Sequence, residues 1–219
     1  LDTSVMEKRG EEGEDFFHAP DSQEPYTGWV KRMHENGKVR YLWQIKDGKK
    51  HGLWTFWDED GQKRSENNHV DGKKEGLVTY WYENGQKRYE VNRKDGKEHG
   101  LATSWHENGK RWTEINYVDG KKHGLRTSWY ENGQKKWEAN YKDGKLHGLS
   151  TWWHENGKNR SETNYVNGKA HGLETRWDEI GKKKWERNHV DGKPHGLRTS
   201  WHENGQKWTE TNWKDGEKH

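Results

Sequence analysis

The sequence predicts an all-β fold, an elongated single-layer antiparallel β-meander of tandem 24-residue β-hairpin repeats. Three observations carry this reading. Twenty-four of the 26 glycines fall on three positions of one 24-residue unit that recurs eight times. Most units hold two turn signals, Glu-Asn-Gly as at Glu83-Asn84-Gly85 and Asp-Gly-Lys as at Asp71-Gly72-Lys73. Between the turns lie runs of period two, such as Leu-x-Thr-x-Trp, rich in Thr and aromatics. Asn-Gly and Asp-Gly supply the positive φ that hairpin turns demand, and period two with such residues marks strands. A turn every 11 or 13 residues leaves no room for a helix, and a period held this strictly marks one small unit stacked along an axis.

Taken in order, residues 1–26 read as an acidic leader and N-terminal cap, with eight acids and two bases. Residues 1–15 are expected to be mobile. The stretch 16–26, with Phe16, Phe17, Pro20 and Pro25, is expected to fold over the first strand and shield an open edge. Residues 27–219 read as eight hairpin repeats. The first, 27–50, is atypical, with Trp29, Lys31 and Met33 in place of Leu, Thr and Trp, as suits a terminal repeat. The strand near 205–218 is expected to present an open edge able to pair with another chain.

Turn length decides which residues share a face, because a one-residue slip exchanges faces. A two-residue Asn-Gly turn pairs Trp57 with Arg64, and a three-residue loop with an αL glycine pairs Trp57 with Lys63. The three-residue loop is favoured. It places Leu, Thr and Trp of the first strand on one face with Tyr89, Ile115, Tyr117, Trp137 and Tyr141. It sends Glu66, Asn68, Glu90, Asn92, Glu114 and Asn116 to the other. It also pairs the recurring Trp with cations: Trp57–Lys63, Trp81–Lys87, Trp105–Arg111, Trp129–Lys135, Trp177–Lys183 and Trp201–Lys207. Trp153 faces Asn159 instead. Each such cation–π contact is worth about 0.5–1 kcal/mol, and the lysine stems cover ring surface.

Composition narrows the function classes. Only 26% of residues are hydrophobic, against about 45–50% apolar, glycine included, in ordinary domains. That is too little for a thick core, and 16 Trp at fixed spacing argue against disorder. Cysteine is absent, which excludes disulfides and zinc–thiolate sites. No apolar run approaches the ~20 residues of a membrane span. The net charge of +3 combines an acidic leader with a mildly basic repeat region of mixed sign. Such mixing reads as solubility rather than nucleic-acid binding. Histidines recur at His51, His99, His123, His147, His171 and His195, and again at His34, His106, His154 and His202. Equivalent positions two strands apart lie about 9–10 Å from one another, too far to share a zinc ion, so no metal site is expected. The row from Glu66 to Glu210 offers no pocket for paired-carboxylate catalysis, and no phosphate loop or nucleophile elbow is present. Neither an enzyme nor a cofactor is expected.

Hairpins carrying Asn-Gly, Asp-Gly-Lys and His-Gly-Leu resemble MORN-type repeats, and over residues 27–218 they are most similar to the bacterial variant labelled the YwqK-type antitoxin family. Phe16–Val30, with Pro25-Tyr26-Thr27-Gly28, resembles the lead-in of exported bacterial proteins of this kind. The resemblance implies a curved antiparallel sheet and a role in protein contact, scaffolding or lipid-surface contact. With the start at Leu1, it also implies an exported or cell-surface location, a cytoplasmic one being the alternative.

The functional expectation is a non-enzymatic scaffold that contacts a protein partner through a Trp-rich sheet face. Its contact residues are Trp57, Trp81, Trp105, Trp129, Trp153, Trp177 and Trp201, with Lys63, Lys87, Arg111, Lys135, Lys183 and Lys207. The alternative is a self-assembling structural protein, a filament or cell-surface component, that grows by edge-strand addition or sheet stacking. A polysaccharide-binding surface ranks third.

Overall fold

The computed structural model describes residues 7–9 and 16–219. No helix occurs among them, so none is long and apolar enough to cross a membrane. The chain forms two compact units, residues 1–109 and 110–219. In the first, strands run from Gly28–Met33 and Val39–Lys46 through Lys49–Trp57, Lys63–Val70, Lys73–Trp81 and Lys87–Lys94 to Lys97–Trp105, each antiparallel to the next. The second unit continues the same hairpins from Arg111–Val118 to Glu217–Lys218. The fold is an all-β antiparallel meander of tandem 24-residue hairpins.

Two kinds of connection alternate. At Asp71-Gly72 both residues have positive φ, 49° and 84°, and Val70 pairs with Lys73 across a two-residue turn. This is the type I′ geometry that suits strand twist. At the other end Asp58 N–H donates to Gln62 O (3.0 Å) and Gly61 N–H to Asp58 O (3.0 Å), with Gly61 at φ 87°. That is the three-residue loop with an αL glycine. It pairs Trp57 with Lys63.

The face assignment expected from that loop does not hold. A bulge follows at once. Phe56 pairs with Ser65 while Trp57 pairs with Lys63, so Arg64 is left over. The extra residue shifts all later pairs by one. Thr55 therefore opposes Glu66 and Leu53 opposes Asn68, and likewise Thr79 opposes Glu90 and Leu77 opposes Asn92. Leu, Thr and Trp thus share their face with the recurring Glu and Asn. Tyr89, Ile115 and Trp137 lie on the opposite face, across from Tyr80, Arg126 and Ser128.

A second, larger bulge sits at His-Gly-Leu and its variants. Asn67 pairs with Val78 but His69 with Lys74, so Glu75, Gly76 and Leu77 oppose Asn68 alone. Gly76 takes φ +75°, a conformation side chains disfavour.

The core lies on the face away from the leucines. Val78 and Val91, paired across strands, are fully buried. Phe17, Val30, Trp43 and Ile45 form a cluster against which Tyr26, Tyr41 and Trp54 pack. The segment 16–26 reaches this cluster by closing on a turn. Phe17 N–H donates to Gly48 O, Gly48 N–H to Tyr26 O and Tyr26 N–H to Phe17 O, each at 2.8 Å. Of the expected leader, the described part is the strand Glu7–Arg9, antiparallel to Phe16–His18, and the rest lies outside the described residues. On the other face each Thr of Leu-x-Thr is buried too. Thr79 Oγ1 donates to Glu90 (3.4 Å) and Thr127 Oγ1 to Glu138 (3.3 Å).

His69 is buried against Trp54, with ring centroids 5.0 Å apart. Burial, with Lys50 and Lys74 nearby, pushes its pKa down to about 4.

Two predictions follow from this geometry. A Cβ added at Gly76 meets nothing within 4 Å, so Gly76→Ala is opposed by backbone conformation alone. Urea unfolding should show a loss of about 1–2 kcal/mol, with Gly76→Asn losing less. His69 binds its proton more weakly folded than unfolded, so the unfolded chain takes up more protons between about pH 6.5 and 4. Stability should fall as pH drops through that window, by of order 2 kcal/mol, and His69→Asn should flatten the dependence.

Candidate functional site

The repeating face is built from three stripes. Nearest the Asp-Gly turns stand the leucines, from Leu53 to Leu197, 44–53% exposed. Next comes the alternating Thr–Glu row. Nearest the Asn-Gly loops lies the row Trp57, Trp81, Trp105, Trp129, Trp153, Trp177 and Trp201, every member half-buried. Strand register pairs Trp57 with Lys63, Trp81 with Lys87, Trp129 with Lys135, Trp177 with Lys183 and Trp201 with Lys207, while Trp153 pairs with Asn159.

The cations do not stack on the rings they pair with. Four of them, all but Lys207 in the last repeat, lie over the Trp of the following repeat. Lys63 Nζ stands 5.4 Å from the Trp81 ring, Lys87 5.8 Å from Trp105, Lys135 5.6 Å from Trp153 and Lys183 5.0 Å from Trp201. The bulge at Arg64 and its equivalents explains the displacement. It turns Lys63 toward Glu66, three residues on (2.5 Å), and toward the next hairpin. Lys87, Lys135, Lys183 and Lys207 make the same contact with Glu90, Glu138, Glu186 and Glu210, and Arg111 makes it with Glu114. The tryptophans are therefore parts of a ladder between repeats, and the leucines stand more open than they do on this face. At Trp177 the ladder lapses, because Asn159 stands where most repeats have Lys and bonds Glu162 instead (2.9 Å).

Further bonds tie each loop to the next. Asn84 Nδ2 donates to Glu107 O (2.7 Å) and Asn132 Nδ2 to Glu155 O (3.0 Å). Tyr82 and Tyr130 hydroxyls donate to the carbonyls of Trp105 and Trp153, at 2.7 and 2.8 Å. At the turn end Gly72 N–H donates to Lys50 O (2.9 Å) and Gly144 N–H to Lys122 O (2.9 Å). The loop asparagine thus carries an inter-repeat bond.

A model of the MORN repeat variant matches residues 50–71, 74–95, 98–119, 122–143, 146–167 and 194–215, more than half of the chain. The chain belongs to the MORN repeat variant family. MORN repeats are commonly protein-interaction or scaffold repeats, and the family is generally non-catalytic. The repeat at 170–191 lies outside the matched stretches, and its residues depart from the pattern. Ile180 replaces the loop Asn, and Glu174 and Arg187 stand where Val78 and Val91 meet in an earlier repeat. No curated protein matches the chain. Among solved structures, a point mutant of S. aureus TarM in complex with fondaparinux, α-GlcNAc-glycerol and UDP is similar at 13% identity and a TM-score of 0.25. That match covers 60% of this chain and 21% of that one, so the MORN chain spans about a fifth of that protein's length.

The buried Glu174 was hidden in the sequence, although the one acidic residue at the repeat position of Val78 was its signal. Its carboxylate accepts from Arg187 (3.1 Å), Arg176 (3.2 Å) and the His189 ring (2.7 Å). Burial raises its pKa, but the bonds from His189 and Arg187 outweigh burial and hold it below the usual carboxylate range.

The ladder has a specific signature in a double-mutant cycle. Lys63→Ala and Trp81→Ala should couple by about 0.5–1 kcal/mol. Lys63→Ala and Trp57→Ala, partners in register alone, should couple less in the same thermal unfolding measurement.

Proposed function

We propose that this MORN repeat protein is a non-enzymatic scaffold that holds a protein partner along the face bearing the Leu, Thr–Glu and Trp–Lys stripes. The observation that supports this most is the leucine stripe. A half-exposed leucine recurs at one place in seven successive repeats, opposite an asparagine and beside the Thr–Glu row. Apolar patches bordered by polar groups mark contact sites. The tryptophans and lysines named above would form the firmer edge of that surface, with rings already held in place and little side-chain freedom left to lose. A toxin is one class of partner that the likeness to the YwqK type suggests. A repeating face of this kind would engage an extended or likewise repetitive partner.

The test compares the wild-type chain with a Leu125→Glu/Leu149→Glu/Leu173→Glu variant, whose substituted positions are open enough to keep the fold by circular dichroism. The wild type should retain a co-purifying, cross-linkable protein that the variant loses. Equal capture by both would sink the assignment to this face. Light scattering over a concentration series separates the self-assembling alternative. Growth into ordered fibres would put it ahead, and a monodisperse species would leave the scaffold reading in place.

A further inference from the structure

Within the second unit, on the face opposite the leucines, the residue after each ladder Trp meets the bulged residue of the same hairpin. In two of the four such pairs of this unit the two satisfy each other. Tyr130 lies under Lys136 (5.3 Å), and His202 packs on Trp208 (5.7 Å). The first unit does the same with the Asp58–Arg64 ion pair and with Tyr82 under Arg88 (5.9 Å).

The other two pairs of this unit, in adjacent repeats, do not. In one the pair is His154 and Arg160. The His154 ring nitrogen stands 3.3 Å from Trp177 O, and Arg160 forms no ion pair, hydrogen bond or ring contact among the described residues. In the other the pair is Asp178 and Lys184. Asp178 Oδ1 is held by the N–H groups of Ile180 (3.1 Å) and Lys182 (2.8 Å), and Lys184 is likewise left without a partner among the described residues. Between them stands Arg176. Of its nitrogens only Nε is hydrogen-bonded, to Glu174 Oε1 at 3.2 Å, and its side chain is 50% exposed.

These three cations line one open cleft of about 1110 Å³, together with Trp185 and Tyr130. Arg176 is fixed there by Glu174 and by the Trp185 ring, 5.1 Å from its Cζ. Glu174 is itself occupied by Arg187 and His189, so it has little capacity to neutralise a further charge. The acids of the lining are Asp178, held by the N–H groups of Ile180 and Lys182, and Glu155, Glu179 and Glu203, all three exposed.

We propose that this cleft is an oxyanion-binding site that takes the phosphate or sulfate group of a small organic ester. Guanidinium groups match tetrahedral oxyanions with paired N–H donors, and charge-assisted bonds of this kind are the strong ones. A pre-positioned Arg176 reduces the ordering cost of binding. The cleft is far larger than one ion, which leaves room for the organic part of the ester. The cations of this site stand on the face opposite the leucines, and Trp177 is the member of the tryptophan row that also lines the cleft.

Calorimetric titration of the full chain with inorganic phosphate, inorganic sulfate and pyrophosphate tests it. Saturable binding at one site is expected, tightest for pyrophosphate and weakened by added salt. Arg160→Ala and Lys184→Ala should each weaken it about tenfold. Lys136→Ala, which removes a cation already stacked on Tyr130, should change it little. Arg160→Lys should recover part of the loss. Glucose 6-phosphate and glucose 6-sulfate then distinguish the two sources by which binds more tightly. Absence of saturable binding to all three inorganic probes would overturn the proposal. So would unchanged affinity in an Arg160→Ala/Lys184→Ala variant that melts like the wild type.

Discussion

The bulges that interrupt every hairpin set what each residue of this protein can do. A strand pair without them would alternate strictly, and a 24-residue repeat would place its Trp, Thr and Leu against apolar cross-strand partners. The single extra residue at Arg64 and its equivalents reverses that arrangement over the rest of the hairpin. It puts Thr against Glu on one face and Val78 against Val91 on the other. The larger bulge at Gly76, in the pairing with the preceding strand, sets three residues against one and so leaves the alternation of faces unchanged. Burial, the charge rows and the Trp–Lys ladder all follow from these register shifts. Glycine is required at the second bulge because the chain there runs at φ +75°.

Much of this was legible. Asp-Gly and Asn-Gly named both turns, and the three-residue loop with its αL glycine gave the Trp57–Lys63 pair. The bulge at Arg64 left no mark, because it needs no glycine. Arg64, Arg88, Lys136 and Arg160 hold a place that any residue with a long side chain can fill. Without that bulge the amphipathic split looked cleaner the wrong way round. The Trp–Lys stacking was visible as a pairing but not as a contact between repeats, since a lysine reaches as far as the neighbouring hairpin. The partners of Glu174 were unreadable for another reason. They come from two strands, and only the three-dimensional register brings Arg187 and His189 to one carboxylate.

The two faces divide the work differently. On the leucine face the repeats are nearly uniform, so a ligand sliding by one repeat would meet the same chemistry. On the opposite face the composition changes along the chain, from Val78 and Val91 in the first unit to Ser150, Thr163, Glu174 and Arg187 in the second. A uniform face suits extended contact, whereas an irregular one can define a single place. The lapses at Asn159, Arg160, Ile180 and Lys184 cluster in two consecutive repeats, and the cleft opens beside them.

The bonds that join one repeat to the next keep fixed offsets. Loop asparagines reach a carbonyl 23 residues on, as Asn84 reaches Glu107. Turn glycines reach back to the previous repeat, as Gly72 reaches Lys50. A gene encoding such a chain can gain or lose one whole repeat by unequal recombination, and each surviving hairpin still finds a neighbour with the right donors and acceptors. A change of any other length misaligns both sets of bonds at once. The length of the array is therefore free to drift in steps of one repeat, while the length of the repeat is held fixed.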